Sequence, residues 1–367
     1  MKIKAAVLFA PQTPFKMETL DLQGPQKGEV LVKMEAAGVC HSDWHLVTGD
    51  SKHPMPLVAG HEGAGIVAAL GEGVTGLKVG DKVSLNWANY CGECYYCKRG
   101  RPGLCETFFK TNKAGFMPDG TSRLSLNGEP VRQYCALACF ADHAVVPRSS
   151  CVKMPDAVPS SVAAAIGCAV TTGVGSVLNT AQVEPDASIA VFGAGGVGLC
   201  TVMGAKLAGA RSIIAIDPLE SRLEAAKSFG ATHGLQPSDS VIDQIFEITE
   251  GRGADYVFEA AGSSAVQELA IKAARRGGTV VFSGLSPVDS TFPLSGALLV
   301  RQEKAVMGSY YGTAIPHEDF PKFGDLYLKG QLPIDRLITR SYPLEQINEA
   351  YADMLSGAIT RGILRFD

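Results

Sequence analysis

Charge is sparse in this 367-residue chain and aromatic residues are sparser: 19% and 7% of the sequence, with only two tryptophans. No long basic run accompanies the net charge of −4, which argues against nucleic acid or an anionic membrane surface as a partner. A secretory leader is not expected either. The opening stretch MKIKAAVLFAPQTP has only Ala5 to Ala10 as an apolar segment before Pro11, which reads as a first strand. One longer apolar stretch, Ala187 to Ala210, carries Lys206 as its single charge beyond Ile189, but it is too glycine-rich to favour a membrane span.

What is abundant is ordinary for a globular protein. Apolar residues make up 46% of the chain, and the length suggests two or three domains with sizeable cores. Ten cysteines would imply disulfides in a secreted protein. Four of them crowd between Cys91 and Cys105, as metal ligands do, so a cytoplasmic location is expected.

Short β-branched runs separated by glycine turns fill the first 150 residues, among them Glu29–Met34, Gly65–Ala69 and Lys82–Leu85, and predict a β-rich module. Near residue 170 the pattern changes. Strands at Ile189–Phe192, Ser212–Ile216, Tyr256–Glu259 and Thr279–Ser283 alternate with helical stretches, a rhythm that predicts a parallel sheet covered by helices on both faces. The alternation stops after about Gly308. A helix over Leu344–Leu355 and a strand over Gly362–Phe366 are expected to finish the chain.

The first of these strands runs into Gly193-Ala194-Gly195-Gly196-Val197-Gly198, a G-x-G-x-x-G turn with a strand before it and a helix after it. Gly193 permits the tight turn, Gly195 lets the backbone approach a pyrophosphate, and Gly198 allows close helix–strand packing. Amide groups of Gly196 and Val197 at the helix start would face the anion. The next strand ends at Asp217, where a carboxylate meets ribose hydroxyls and disfavours the extra phosphate of NADP, so NAD is the expected cofactor. Arg222, five residues on, could still reach a phosphate.

Cys91-x2-Cys94-x2-Cys97-x7-Cys105 can wrap one tetrahedral structural zinc with no open position; disulfides or a redox pair are the alternatives. The other chemistry-bearing residues are scattered. Gly38-Val39-Cys40-His41-Ser42-Asp43, Gly60-His61-Glu62-Gly63 and Gly167-Cys168 each admit a plain reading as buried thiols or a hydrogen-bonded turn histidine.

Taken in order with Gly65-x-Val67, Gly71-Glu72-Gly73-Val74 and Gly80-Asp81-Lys82-Val83, these motifs resemble the zinc-dependent medium-chain alcohol dehydrogenases, in the longer-chain, dimeric branch. The resemblance runs nearly end to end. It implies an α/β protein, with a GroES-like β-rich catalytic domain from residues 1–169 and 311–367 and a Rossmann domain, a doubly wound parallel sheet, over residues 170–310. It implies a catalytic zinc on Cys40, His61 and Cys168, with Asp43 orienting His61 and Glu62 behind the metal, so two zinc ions per chain. Ser42 and His45 match the family's proton relay, which runs by way of the nicotinamide ribose. His41, Arg361 and Thr172 match cofactor contacts, and Trp87 and Phe140 match apolar walls of the substrate pocket. The implied reaction is reversible hydride transfer between NAD and a primary or secondary alcohol, aliphatic or aromatic, in a homodimer. Oxidation of a formaldehyde–thiol adduct is the alternative. Family members that oxidise the glutathione adduct carry an arginine four residues beyond the last lobe cysteine, where this chain has Phe109, although Lys110 and Lys113 are near.

Overall fold

The computed structural model describes residues 1–287 and 289–366. They fall into two compact units, Met1–Cys168 with Ile315–Asp367, and Ala169–Ala314.

The first unit is built from β-strands. Its central strand, Glu29–Gly38, buries Val30, Val32 and Met34 completely and turns Lys33 outward, the alternation of a half-buried strand. Around it lies a seven-stranded sheet. In order it runs Cys151–Lys153, Lys82–Leu85, Gly63–Leu70, Glu29–Gly38, Gly362–Arg365 and Arg340–Pro343, with His143–Pro147 also paired to the central strand. A closed barrel of Lys2–Leu8, Lys16–Leu22, Leu124–Leu126, Glu129–Gln133 and Leu57–Val58 completes the unit. The two ends of the chain meet here: Ile363 pairs with Gly38 and Leu364 with Ala37.

The second unit is a six-stranded parallel sheet ordered His233–Leu235, Ser212–Ile216, Ser188–Phe192, Ala254–Glu259, Ala274–Phe282, Ala305–Gly308. Ile189, Ala190 and Val191 have no exposed surface, as expected of a strand with both faces covered. Successive strands run outward from Ser188–Phe192 on one side and from Ala254–Glu259 on the other. The order therefore reverses between these two neighbours, and the crevice beyond their C-terminal ends is where such sheets take ligands.

Four elements differ from expectation. The strand expected at Thr279 begins at Ala274, and His233–Leu235 and Ala305–Gly308 bring the four expected strands to six. Pro316–Leu328 is a helix that the sequence pattern concealed, because prolines at its first position and at residue 321 read as breakers. The apolar segment Ser160–Thr180 is long and apolar enough to cross a membrane by length and composition, yet 89% of it is buried within the protein. It is interrupted by two π turns, Ile166–Val170 and Ser176–Thr180.

Candidate metal and nucleotide sites

Cys40 follows the central strand and occupies the N-cap position of the helix His41–Thr48. His61 follows Gly60, whose φ of +90° favours glycine; a Cβ there would also press on the Phe140 ring at 2.6 Å. Cys168 lies in the first π turn, a local widening of the helix that recurs at functional sites. From these three places the donor atoms of Cys40, His61, Glu62 and Cys168 converge to within 4.8 Å of one another, and all four residues are buried.

The surroundings are prepared for a cation. Asp43 Oδ2 lies 2.9 Å from His61 Nδ1, while its Oδ1 accepts a hydrogen bond from the Gly60 amide at 2.9 Å. That leaves Nε2 as the ring's ligand atom and fixes its direction. Hydrogen bonding with Cys168 holds the Cys40 thiol well below its ordinary pKa, and the same bond, with burial, pushes Cys168 well above. Two thiols thus meet at one point beside an oriented imidazole. This donor set, soft and three-membered apart from Glu62, fits zinc with a fourth position open.

Glu62 has a different partner. Arg361, buried and 299 residues distant in sequence, donates from its guanidinium to Glu62 Oε1. Burial pushes the Glu62 carboxyl up to about 7 against the pull of Arg361. Gly38 makes room for it, because a Cβ at that position would overlap Glu62 Oε2. Arg361, expected as a cofactor contact, also pairs with the acid beside the thiols. Sequence separation concealed that pairing.

Two aromatic rings stand edge-on to His61: Trp87, with centroids 6.3 Å apart, and Tyr134, at 5.8 Å. Phe140, expected as an apolar wall of the pocket, lies close by. It has no exposed surface and packs in the core against Phe15 and Tyr351, supporting the Gly60 turn from beneath. Tyr134 was missed because nothing in its local sequence distinguishes it from a core aromatic. Its turn, with Cys135, Ala136 and Ala138 all at positive φ, becomes visible only in three dimensions.

Ser42 and His45 share the helix His41–Thr48, three residues apart and hence on one face. His45 Nδ1 lies 3.2 Å from Asp50 Oδ2, and the ring is partly exposed. His41 is exposed at the helix start.

The four lobe cysteines also converge, with donor atoms within 4.8 Å of one another. Turns at Cys97–Arg99 and Pro102–Leu104, with Gly92 and Gly100 at φ +80° and +70°, bend the chain around that point. Amides of Cys91 and Cys94 point at sulfur, at 3.3 Å from Cys105 Sγ and 3.4 Å from Cys91 Sγ. All ten cysteines are free thiols, so the disulfide alternative has no support.

In the parallel-sheet unit, Gly193 turns at φ +93° and the helix Gly196–Leu207 starts directly after the second fingerprint glycine, Gly195. A Cβ on Gly198 would overlap the Gly193 carbonyl oxygen. Asp217 accepts hydrogen bonds from Ala194 N at 2.9 Å and Leu219 N at 3.0 Å, so it holds the fingerprint turn as well as ending its strand. Arg222 approaches the same carboxylate at 3.5 Å. Thr172 is buried on the helix Thr171–Gly175.

Comparison with known proteins agrees with this arrangement. Residues 26–156 match the alcohol dehydrogenase GroES-like domain, and residues 196–329 match the zinc-binding dehydrogenase family. The chain is 40% identical to the NDMA-dependent alcohol dehydrogenase of Amycolatopsis methanolica, over 99% of both proteins. The chain belongs to the zinc-dependent alcohol dehydrogenases. Among family members it is 38% identical to an S-(hydroxymethyl)glutathione dehydrogenase of Escherichia coli, over the full length of each. The solved benzyl alcohol dehydrogenase of Acinetobacter calcoaceticus superposes with a TM-score of 0.95 at 34% identity, over 100% of both chains. As an alcohol dehydrogenase, the protein is an oxidoreductase with a GroES-like domain and a Rossmann-type domain.

Proposed function

We propose that this alcohol dehydrogenase interconverts primary or secondary alcohols, aliphatic or aromatic, with their aldehydes or ketones, using NAD and two zinc ions per chain. The convergence of Cys40, His61 and Cys168 carries the reading. They would hold the catalytic ion, and Cys91, Cys94, Cys97 and Cys105 the structural one. When bound, a zinc ion supplies Lewis acidity, which acidifies an alcohol hydroxyl and, in reverse, polarises a carbonyl.

The chain's own groups do the rest. Asp43 keeps the His61 ring in its ligating orientation. Ser42 takes the alcohol proton, and His45, on the same helical face and partly exposed, delivers it to solvent. Trp87 and Tyr134 keep water from the reacting carbon, and their flat rings suit an apolar alcohol. Glu62 and Arg361 set the charge beside the two thiols. The fingerprint amides at the start of Gly196–Leu207 take the NAD pyrophosphate, and Asp217 its adenosine ribose. Thr172, His41 and Arg361 are the further cofactor contacts of this reading.

A homodimer in the cytoplasm completes the proposal. The sheet edge Ala305–Gly308 is unpaired on its outer side among the described residues, and Leu285, Leu294 and Val300 are exposed in the same unit, as suits pairing with a second copy. A second reading, oxidation of a formaldehyde–thiol adduct, draws on the Escherichia coli relative and on exposed Lys110 and Lys113 beside Phe109.

A screen of benzylic, medium-chain and secondary alcohols with NAD and NADP, with and without thiols, tests the assignment. Turnover of free alcohols with NAD, and about two zincs per chain by metal analysis, is the expected result. Formaldehyde oxidation only when a thiol is added would transfer the assignment to the second reading. No turnover by the zinc-loaded protein would reject both.

A further inference from the structure

One buried acid in the parallel-sheet unit has no part in the chemistry above. Glu259 ends the strand Ala254–Glu259 and has no exposed surface. Its Oε1 accepts hydrogen bonds from the amides of Ala261 at 2.8 Å and Gly262 at 2.6 Å, with Ser263 N at 3.5 Å. Its Oε2 is buried as well, and the Gln267 side chain also acts on the carboxylate. A buried carboxylate is costly to keep, and burial does push this one above its ordinary pKa although the amides pull it back. The three amides explain what holds it there. They belong to the loop that leads into the helix Ser264–Ala273, and Glu259 is the side chain that accepts from them.

The position of that loop gives the acid its consequence. Phe192, the last residue before the fingerprint, pairs with Glu259 across the point where strand order reverses. The fingerprint turn is one wall of the crevice there and the loop 260–263 is the other. They are in close contact: a Cβ on Gly193 would lie 3.0 Å from Ala261 N, and Ala260 N donates to the Phe192 carbonyl at 2.8 Å. On its far side the loop rests on the next strand's end. Ser283 and Gly284 amides donate to the Glu259 carbonyl at 2.9 and 3.0 Å, and a Cβ on Gly262 would overlap the Leu285 carbonyl oxygen. Little slack remains on either side.

We propose that Glu259 is a positioning residue for the dinucleotide, its carboxylate folding residues 260–263 into the second wall of the switch-point crevice. It touches no reacting atom and acts through the loop. The inference rests on the NAD reading of the Gly193–Gly198 turn, and the experiment separates the two.

NADH affinity is measured by fluorescence titration for wild type, Glu259→Ala and Glu259→Gln, alongside thermal melting, zinc content and KM for the alcohol. Glu259→Ala is expected to weaken NADH binding about tenfold, the scale of one lost charge-assisted hydrogen bond. Glu259→Gln, which retains a carbonyl oxygen at the Oε1 position, should restore affinity to within about threefold of wild type. Zinc content and alcohol KM should not move, a split that a general packing defect would not produce. Amide exchange on the wild type covers the case in which the alanine variant does not fold: Ala261 and Gly262 should be protected before nucleotide is added. Unchanged NADH affinity in Glu259→Ala, or free exchange of those amides in the nucleotide-free wild type, would overturn the proposal. A wild type that binds no NADH would instead overturn the nucleotide reading itself.

Discussion

At the scale of single residues, the protein depends on small groups held by distant partners. In the proposed relay Ser42 is one: it works by sharing a helical face with His45, not by its own acidity. Ser42→Ala is expected to lower kcat by about 10²-fold or more, the range of a lost proton-transfer group, while NADH affinity measured by fluorescence stays within about threefold. Equal loss of both would reject the relay. Away from the metal ligands, Asp255 gives a pH signature. Burial raises its pKa, but the Ser188 hydroxyl and amide, at 2.6 and 2.8 Å, and Arg275 Nε, at 2.5 Å, outweigh that and hold the carboxyl below its ordinary 3.8. A depressed folded-state pKa stabilises the protein above the unfolded value, and that stability disappears as pH falls through the folded value. The melting-temperature gap between wild type and Asp255→Asn should therefore be full above about pH 5 and shrink below about pH 4.

At the scale of elements, turns matter more than strands or helices. The helix Gly196–Leu207 can start where it does because Gly198 lies against the Gly193 carbonyl without a side chain between them. Gly198→Ala must displace backbone, so we expect a stability loss of about 1–3 kcal/mol together with weakened NADH binding. A thermal melt and a fluorescence titration on one sample check both, and a neutral result in each would show that the turn has slack. Glycine spacing made this element legible beforehand, since strand, turn and helix each leave a separate mark. The turn Tyr134–Ala138 left none. Cys135, Ala136 and Ala138 sit at positive φ without being glycine, so their conformation is imposed by surrounding contacts and could not be anticipated from residue type.

At the scale of the whole molecule, the two cysteine-containing clusters have different duties in the proposed function and should respond differently to metal removal. A closed four-thiolate site contributes on the order of 10 kcal/mol to local folding. Chelation should therefore open the segment Cys91–Cys105 to limited proteolysis, with cleavage sites read by mass spectrometry. NADH binding by the Ala169–Ala314 unit should persist, because its own core, from Ala190 to Val280, contains none of the metal ligands. Loss of NADH binding at the same chelator concentration as lobe cleavage would show that the ions support the molecule as one cooperative body.

Local sequence by itself determined whatever depends on neighbours along the chain: the parallel strands around Ile189–Phe192, the fingerprint turn, and the lobe whose four thiols lie within fifteen residues. Family resemblance extended that to Cys40, His61 and Cys168. Only the tertiary structure decided which groups meet across long separations. It paired Arg361 with Glu62, packed Phe140 under the Gly60 turn and put Tyr134 beside His61, and it set Glu259 at the reversal of strand order. The reason is physical. Periodicity and turn chemistry act over a few residues, whereas packing and charge pairing depend on distances that exist only after the chain has closed on itself.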